Sequence, residues 1–392
     1  MNLFDQLNQS NYVFYFLVVD DFLDIVLPQL KNFHLIYTST PKQKDFLESN
    51  KIPYFSLKDF GETEIPQNSG KLLSHPKVEE YINSTSNNKK IVIISFKPSA
   101  KIEFICHQKN WVCAAVSHQL NRFLEDKNEF LKFCQKNNLP TIPANIDNFN
   151  QQNFVKYQQQ FKTKKLVIQT HFGWAGKSTF SANNWDEIKN SIPLETNVKF
   201  SPFLTGYSLL NNCCLTSTGL IQSPPALQYT GIKPLTDNPF TTVGRQWPSM
   251  APNLINQKVI NITSVFSNLI KNLCYKGFFG LDFMVSDDQV YLLECNPRLT
   301  ASFAFYTQIE IDNSLTPLFL LHLLQFLDLK IEPDINLLQQ QLNQANIVGS
   351  EITLKNKDSQ TINKYHDFTI FSQQVNPIDI PSNIINLLYE KN

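Results

Sequence analysis

The sequence predicts an α/β protein with α+β character in its later part. Strand and helix patterns alternate through about the first hundred residues, which is the rhythm of an open α/β sheet. Hairpin and meander patterns dominate the middle of the chain, and its 392 residues exceed what one hydrophobic core usually supports. We therefore expect two or three domains or subdomains, with an N-terminal open α/β domain over residues 1–111, an α+β region over 112–330, and a small C-terminal α+β segment over 331–392.

Strand-like and helix-like runs define the N-terminal domain. They are the strand Tyr12 to Val19, an apolar helix-like run to Leu30, the strand His34 to Thr38, a helix from about Pro41 to Asn50, and the strand Ile91 to Phe96. The polar stretch between Gly61 and Lys90 predicts surface loop around one short helix. No G-x-G-x-x-G follows these strands, so the sequence favours a scaffold or substrate wall over Rossmann-type dinucleotide binding.

The remaining elements are predicted from the helical and strand spacings of apolar residues. We expect a helix over Val112 to Asn137, strands over Leu166 to Gln169, Thr179 to Ser181 and Val198 to Gly206, a β-meander, and helices over Asn253 to Tyr275 and Leu315 to Leu327. Arg245 is predicted to lie in a loop ahead of the helix from Asn253 to Tyr275. The C-terminal strand EITLKN and the runs Asp367 to Ser372 and Ile380 to Leu388 suggest a small α+β appendage.

Composition excludes several classes of function. Lys plus Arg and Asp plus Glu both number 34, so the chain offers no basic surface for nucleic acid and no acidic tail. No apolar run approaches the length of a membrane span, and the N-terminus lacks a signal-peptide pattern. The seven cysteines show no spacing suited to zinc, which favours a reducing, cytoplasmic environment.

The stretch from Gly277 to Ser302 places acids where an apolar hairpin should have only packing residues. With a three-residue loop at Asp287 to Gln289, Asp282 lies opposite Glu294, and Tyr291 and Leu293 join the apolar face. Two buried carboxylates side by side repel each other, so a cation between them is the natural compensation, and Mg²⁺ suits oxygen ligands best. The alternative is an edge hairpin whose acids point at water.

A glycine-containing loop joins the strands on either side of residues 170–178. It holds Gly173, Gly176, Lys177 and Ser178, but it leads into a strand, whereas a P-loop leads into a helix. Its amide groups and Lys177 are suited to closing over phosphates. An ordinary hairpin turn is the alternative.

Taken together, the Asp126-Lys127 helix, the glycine loop and the hairpin sequence GxDF…LLECNPR resemble the ATP-grasp superfamily, over roughly Val112 to Leu327. The resemblance implies a lid subdomain at about 125–197 and a metal and phosphate subdomain at about 198–330. It assigns Mg²⁺ to Asp282, Glu294 and Asn296. It assigns ATP to Lys127, to residue Gln169, to Gly173, Gly176, Lys177 and Ser178 of the loop, and to a hinge strand over Val198 to Leu204 that includes Ser201 and Phe203.

The same resemblance implies a reaction. The superfamily activates a carboxylate with ATP as an acyl phosphate, which an amine then attacks, leaving ADP and phosphate. Arg245 and Arg298 suit the two charged stages, the incoming carboxylate and the tetrahedral oxyanion. The implied partners are a small-molecule carboxylate and an amine, such as an amino acid or small metabolite, with no nucleic acid or membrane; a homodimer is compatible with the resemblance.

Two positions depart from the superfamily pattern. Gln169 stands where the superfamily usually has a lysine, and the hinge strand reads Lys199-Phe200-Ser201-Pro202 where a glutamate is usual. Lys177 and Lys165 are candidates to replace the missing charge. A catalytically silent nucleotide-binding or regulatory protein and a carboxylase-like enzyme therefore stay open beside the carboxylate–amine ligase.

Overall fold

The computed structural model describes residues 2–20, 23–62, 65–173, 176–233 and 235–353, and within them the chain forms three β-sheets. A five-stranded sheet belongs to the N-terminal domain, a four-stranded sheet lies in the middle of the chain, and a seven-stranded sheet spans most of the remainder. This is the mixed α/β architecture that the sequence predicts.

The N-terminal domain is an open parallel sheet with the strand order β3-β2-β1-β4-β5. Its strands are β1 (Tyr12–Val18), β2 (Phe33–Tyr37), β3 (Tyr54–Ser56), β4 (Lys90–Ser95) and β5 (Val112–Cys113). Its helices are α1 (Leu3–Gln9), α2 (Lys44–Ser49), α3 (Ser69–Leu73), α4 (Pro76–Thr85) and α5 (Ala100–Lys109). Strand β1 is buried along its whole length because helices or neighbouring subdomains cover both faces.

Two N-terminal predictions are wrong. The run ending at Leu30 contains no α-helix in the residues described, because Pro28 and the β-branched pair Ile25-Val26 disfavour one, although Leu27 and Leu30 are still buried. The polar stretch before Lys90 holds two helices, α3 and α4. Pro76 occupies the first turn of α4, where its missing N–H costs nothing, so this proline begins a helix instead of marking a loop.

The predicted helix over Val112 to Asn137 is divided. Its first residues form β5, and the rest forms α6 (His118–Glu125) and α7 (Lys127–Lys136). Asp126 has an extended backbone between the two helices, and its carboxylate accepts hydrogen bonds from the Asn128 and Glu129 amides. Asp126 is therefore the N-cap that starts a new helix.

The four-stranded sheet, which we call the lid sheet, is antiparallel with the order β6-β9-β7-β8. Its strands are β6 (Asn145–Asn148), β7 (Leu166–Gln169), β8 (Thr179–Ala182) and β9 (Asn197–Pro202), and α8 (Gln151–Gln160) packs on it. The hinge strand β9 thus belongs to the lid sheet, and this sheet extends to Pro202, beyond the expected subdomain end at 197.

The seven-stranded sheet, which we call the central sheet, has the order β15-β14-β10-β12-β13-β16, with β11 paired to β10. Its strands are β10 (Tyr207–Leu215), β11 (Leu220–Gln222), β12 (Ala226–Thr230), β13 (Thr242–Trp247), β14 (Gly277–Ser286), β15 (Gln289–Asn296) and β16 (Gly349–Ile352). The accompanying helices are α9 (Asn253–Lys271), α10 (Phe303–Asp312), α11 (Leu318–Leu324) and α12 (Ile335–Gln344). Strand β16, from the C-terminal segment, is therefore an edge strand of this sheet; Asp367 to Ser372 and Ile380 to Leu388 lie outside the described residues.

The N-terminal domain packs on α10 and α11 through one aromatic core. The ring centroids of Phe16 and Phe303 are 5.8 Å apart, and those of Phe33 and Phe319 are 6.2 Å apart. His322 joins the two parts further, since its Nδ1 accepts from the Phe278 amide at 2.9 Å and its Nε2 lies 3.1 Å from the Ala114 carbonyl oxygen. This packing places the end of β4 beside the loop that follows β15.

Candidate functional site

The β14–β15 hairpin brings Asp282 opposite Glu294, as the sequence predicts, but by a different route. The turn has two residues, Asp287 and Asp288, both with positive φ, instead of the expected three-residue loop. A β-bulge between Asp282 and Phe283 then shifts the register by one residue, so that the two acids still meet.

The turn and the bulge also change the faces of the hairpin. Tyr291 is paired with Met284, and the buried Leu292 is paired with Phe283. Leu293 lies at the bulge and is half-buried. The prediction that Tyr291 and Leu293 share the apolar face is therefore wrong, because one added residue reverses the alternation beyond it.

Asp282 and Glu294, which we call the carboxylate pair, are held by hydrogen bonds and an ion pair. The Gln228 amide donates to Asp282 Oδ1 at 2.7 Å, and the Asn296 amide donates to Asp282 Oδ2 at 2.9 Å. Lys127 Nζ lies 2.9 Å from Glu294 Oε2. Burial, followed by the charge of Glu294, raises the pKa of Asp282. Burial opposes ionisation of Glu294, but the ammonium of Lys127 outweighs it and lowers the pKa of that carboxyl.

This donor set fits a magnesium ion. Two carboxylates on adjacent strands compete for one site, and their repulsion is relieved when a proton or a cation lies between them. In the described part of the chain no group of three or more His, Cys, Asp or Glu side chains could hold a metal. A pair of carboxylates with an amide oxygen suits Mg²⁺, which usually takes one or two protein carboxylates and completes its shell with phosphates and water.

The start of α7 connects Lys127 with the loop between β7 and β8. The Lys127 amide donates to the His171 carbonyl oxygen at 3.0 Å, and a ring nitrogen of His171 lies 3.1 Å from the Asp126 carboxylate. The Lys127 side chain is buried beside Glu294. Residues 170–173 and 176–178, which we call the flap, are thus attached at their base to the carboxylate pair through Lys127.

The flap rests against the loop between β12 and β13. Gly176 has φ +76°, and a Cβ there would lie 2.7 Å from the Phe240 carbonyl carbon, so only glycine fits. The Asn238 amide also donates to the Gly176 carbonyl oxygen at 3.1 Å. Ser178 is buried, whereas Gly173 and Lys177 are exposed. Two residues that the sequence singled out, Gly173 and Lys177, therefore make no buried contact with the carboxylate pair.

A cavity of about 780 Å³ separates the lid sheet from the central sheet. Gln169, Ser201, Phe203 and Leu204, four of the residues that the resemblance assigns to ATP, line it. Most other lining side chains are apolar, among them Val167, Leu227, Tyr229, Met284, Leu292 and Leu293. Met284 and Gln228 adjoin Asp282, so the carboxylate pair lies beside one end of an apolar cavity, an arrangement typical of small-molecule sites.

The two arginines are both held by carboxylates. Arg245 lies in strand β13, not in a loop as predicted, and its Nη1 is 2.6 Å from Glu351 of the paired strand β16. Arg298 Nε lies 3.1 Å from Glu125 Oε1, and its guanidinium stacks 4.6 Å from the Phe96 ring centroid. Arg298 also donates to Asn296 Oδ1 at 3.1 Å, which connects it to the carboxylate pair.

A family model described as an ATP-grasp domain matches residues 124–302. Residues 124–302 form an ATP-grasp domain. The match includes Lys127, the flap, the lid sheet and the carboxylate pair, so all of them belong to one ATP-grasp domain.

Solved structures share the fold over most of the chain. Biotin carboxylase from Campylobacter jejuni, in a β-γ-ATP complex, is 12% identical with TM-score 0.62, covering 86% of this chain and 74% of that chain. Carboxyaminoimidazole ribonucleotide synthase from Aspergillus clavatus, complexed with ATP, is 14% identical with TM-score 0.54, covering 84% and 79%. Phosphoribosylamine–glycine ligase from Thermotoga maritima is 16% identical with TM-score 0.53, covering 82% and 77%.

Two further results are negative. No curated protein sequence matches the chain. Within the residues described, none of the helices combines the length and the apolar character that crossing a bilayer requires.

Three residues that lie at the carboxylate pair, at Arg298 or in the cavity were not singled out as site residues from the sequence. Lys199 and Gln228 lie on β9 and β12, and Glu125 ends α6. Alternation could have found Lys199, since the polar Lys199 and Ser201 alternate with the apolar Val198 and Phe200 along β9. No pattern in the sequence pairs Glu125 with Arg298, because the two are 173 residues apart.

Proposed function

We propose that the chain is an ATP-dependent ligase that activates a carboxylate as an acyl phosphate and joins it to an amine, releasing ADP and phosphate. The observation that supports this most strongly is the carboxylate pair, held by Lys127 and Gln228 beside an apolar cavity within an ATP-grasp domain. The similar solved structures include ATP and ADP complexes of synthetases and a carboxylase, which supports ATP as the nucleotide.

In this proposal the apolar part of the cavity binds the adenine base. Phe203 and Leu204 lie where β9 leaves the lid sheet, and Ser201 precedes them. Lys165 Nζ is 3.8 Å from the Phe203 ring centroid, so a cation already covers one side of that ring. The flap residues Gly173, Gly176, Lys177 and Ser178, together with Gln169, cover the phosphates from the lid side.

The end of the cavity beside the carboxylate pair binds the phosphates through charged side chains. Lys127 neutralises phosphate charge, and Asp282, Glu294 and Asn296 hold magnesium. Bound magnesium would supply charge neutralisation to the phosphates during transfer. Asn296 orients Asp282 through its amide, and Gln228 orients the other oxygen of the same carboxylate. Both hydrogen bonds fix where the carboxylate oxygens point, which is the positioning that phosphoryl transfer requires.

Arg298 and Arg245 act on the acyl substrate. Arg298 lies between Asn296 and the N-terminal domain, where a carboxylate can approach it in place of Glu125. Arg245 is paired with Glu351, and its charge opposes the raised pKa of Asp282. We assign Arg298 to the acyl phosphate or γ-phosphate and Arg245 to the incoming carboxylate.

The substrates we propose are a small-molecule carboxylate and an amine, in the cytoplasm. All seven cysteines are free, which suits a reducing compartment. The carboxylase-like alternative replaces the organic acid with bicarbonate, and the biotin carboxylase fold similarity is the observation that favours it.

ADP release tests the proposal and separates it from both alternatives. The purified chain is incubated with Mg-ATP and with pairs drawn from bicarbonate, amino acids and simple amines, and Glu294→Gln is run beside it. We expect ADP release that needs one carboxylate and one amine and that falls at least tenfold in Glu294→Gln. Release that needs bicarbonate but no other acid supports the carboxylase-like reaction. Nucleotide binding without ADP release under every pair contradicts the ligase and supports a silent protein.

A further inference from the structure

The cavity contains a buried cation that the sequence pattern did not assign. Lys199 is 9% exposed, lies on β9 and lines the cavity. Within the residues described, its ammonium makes no ion pair and no hydrogen bond, since the nearby Glu294 is 2.9 Å from Lys127 instead. A charged group placed in a cavity without a partner indicates that an anion completes the site when it is bound.

The strand register places Lys199 beside Gln169. The two residues are directly opposite each other in the antiparallel pair β7–β9, and Thr179 of β8 is opposite Gln169 on the other side. All three line the cavity. Side chains paired in this way have Cβ atoms about 5 Å apart, which is less than the reach of a lysine. A lysine on β9 can therefore serve the same part of the cavity as a lysine on β7.

Gln169 cannot supply that charge, and its amide is already used. Its Nε2 donates to the Thr179 hydroxyl at 3.1 Å. The two other lysines considered for compensation face elsewhere, because Lys165 stacks on Phe203 and Lys177 is exposed on the flap. Of these three lysines, Lys199 is the one that is buried and also paired with Gln169 on the neighbouring strand.

Resting on the proposed function, we propose that Lys199 binds the polyphosphate of the nucleotide and replaces, from the neighbouring strand, the cation that position 169 lacks. With Lys127 it forms a pair of ammonium groups around Glu294. The two ammonium groups face the carboxylate pair, and a metal held by that pair adds positive charge that a polyphosphate offsets. The ligand class is a nucleoside triphosphate or diphosphate.

Relocating the charge tests this proposal. The variants are Lys199→Gln, the exchange Gln169→Lys with Lys199→Gln, and Lys136→Gln, which removes an exposed lysine from α7 as a control. Calorimetric titration with Mg-ATP and with adenosine gives the two affinities of each protein. We expect Lys199→Gln to weaken Mg-ATP at least tenfold with adenosine unchanged, the exchange to restore Mg-ATP to within about threefold, and Lys136→Gln to match wild type.

Three outcomes decide the proposal. Lys199→Gln binding Mg-ATP as wild type does overturns it, and so does an equal loss of Mg-ATP and adenosine, since that reports a damaged cavity. If Gln169→Lys combined with Lys199→Gln does not recover affinity for Mg-ATP, the charge cannot be moved between the two strands. That result also overturns the proposal that Lys199 replaces the cation missing at position 169. A wild type that binds no Mg-ATP contradicts the proposed function itself and is distinguished from these results by the first titration.

Discussion

Replacing Lys199 with methionine should stabilise the protein at neutral pH. Burial, followed by the charge of Lys127, lowers the pKa of Lys199 from 10.5 to about 8, although Glu294 and the thiol of Cys134 act in the other direction. A fall of that size corresponds to about 3 kcal/mol of folding free energy lost while the lysine is charged. Methionine has a similar length and no charge, so it should recover up to about 3 kcal/mol.

The gain should depend on pH in a defined direction. Because the folded-state pKa is lower than the unfolded-state value, the unfolded chain holds the proton more strongly between pH 8 and 10.5. The penalty in wild type is therefore complete below pH 8 and disappears as the pH rises towards 10.5. The advantage of Lys199→Met should be largest near pH 7 and small above pH 10.

Urea unfolding followed by tryptophan fluorescence measures this difference. Trp185 packs in the core of the lid sheet, with its ring centroid 4.8 Å from that of Phe149, and reports on the subdomain that contains Lys199. Lys136→Met, on the exposed surface of α7, is the matched control and should change the unfolding free energy by less than about 0.5 kcal/mol. A Lys199→Met protein that is less stable than wild type at pH 7, or that is more stable by the same amount at pH 7 and above pH 10, would show that the buried charge of Lys199 does not destabilise the fold.

Two further predictions concern the flap and the domain contact. Backbone amides of residues 176–178 should exchange hydrogen more slowly with Mg-ATP bound than without it, and equal exchange in both states would count against a phosphate role. Burial lowers the pKa of His322 to about 4, so the stability that its neutral ring provides above pH 6.5 should be lost as the pH falls towards 4. His322→Gln should have a flatter stability profile over that interval, measured by thermal unfolding, and an unchanged slope would show that this histidine is not responsible.

Strand-forming segments with strong apolar patterns were predictable from the sequence. Tyr12 to Val19 and Ile91 to Phe96 form β1 and β4 within one residue of the expected ends, because all-apolar runs of that length have few alternatives to a buried parallel strand. The run to Leu30 is less apolar and contains Pro28, which disfavours a helix, and its Leu27 and Leu30 are buried in irregular backbone.

The carboxylate pair shows both the strength and the limit of pattern reasoning. The sequence indicated that Asp282 and Glu294 lie opposite each other. It did not indicate that a two-residue turn and a bulge bring them together, because a three-residue loop without a bulge also places these two residues opposite each other. Lys199 was visible in the sequence only as a departure at the hinge. Its role depends on which strand lies beside β7, and that register is a property of the folded lid sheet.

A metal site at the carboxylate pair requires that ATP binding depends on magnesium through Asp282 and Glu294. Calorimetric titration of ATP is carried out with Mg²⁺ and with EDTA, on wild type, on Asp282→Asn with Glu294→Gln, and on Asp186→Asn, whose exposed carboxylate serves as the control. We expect Mg²⁺ to tighten binding to wild type and to the control at least tenfold and to have little effect on the double variant. ATP binding that is absent from wild type, or that responds to Mg²⁺ equally in all three proteins, would contradict this expectation.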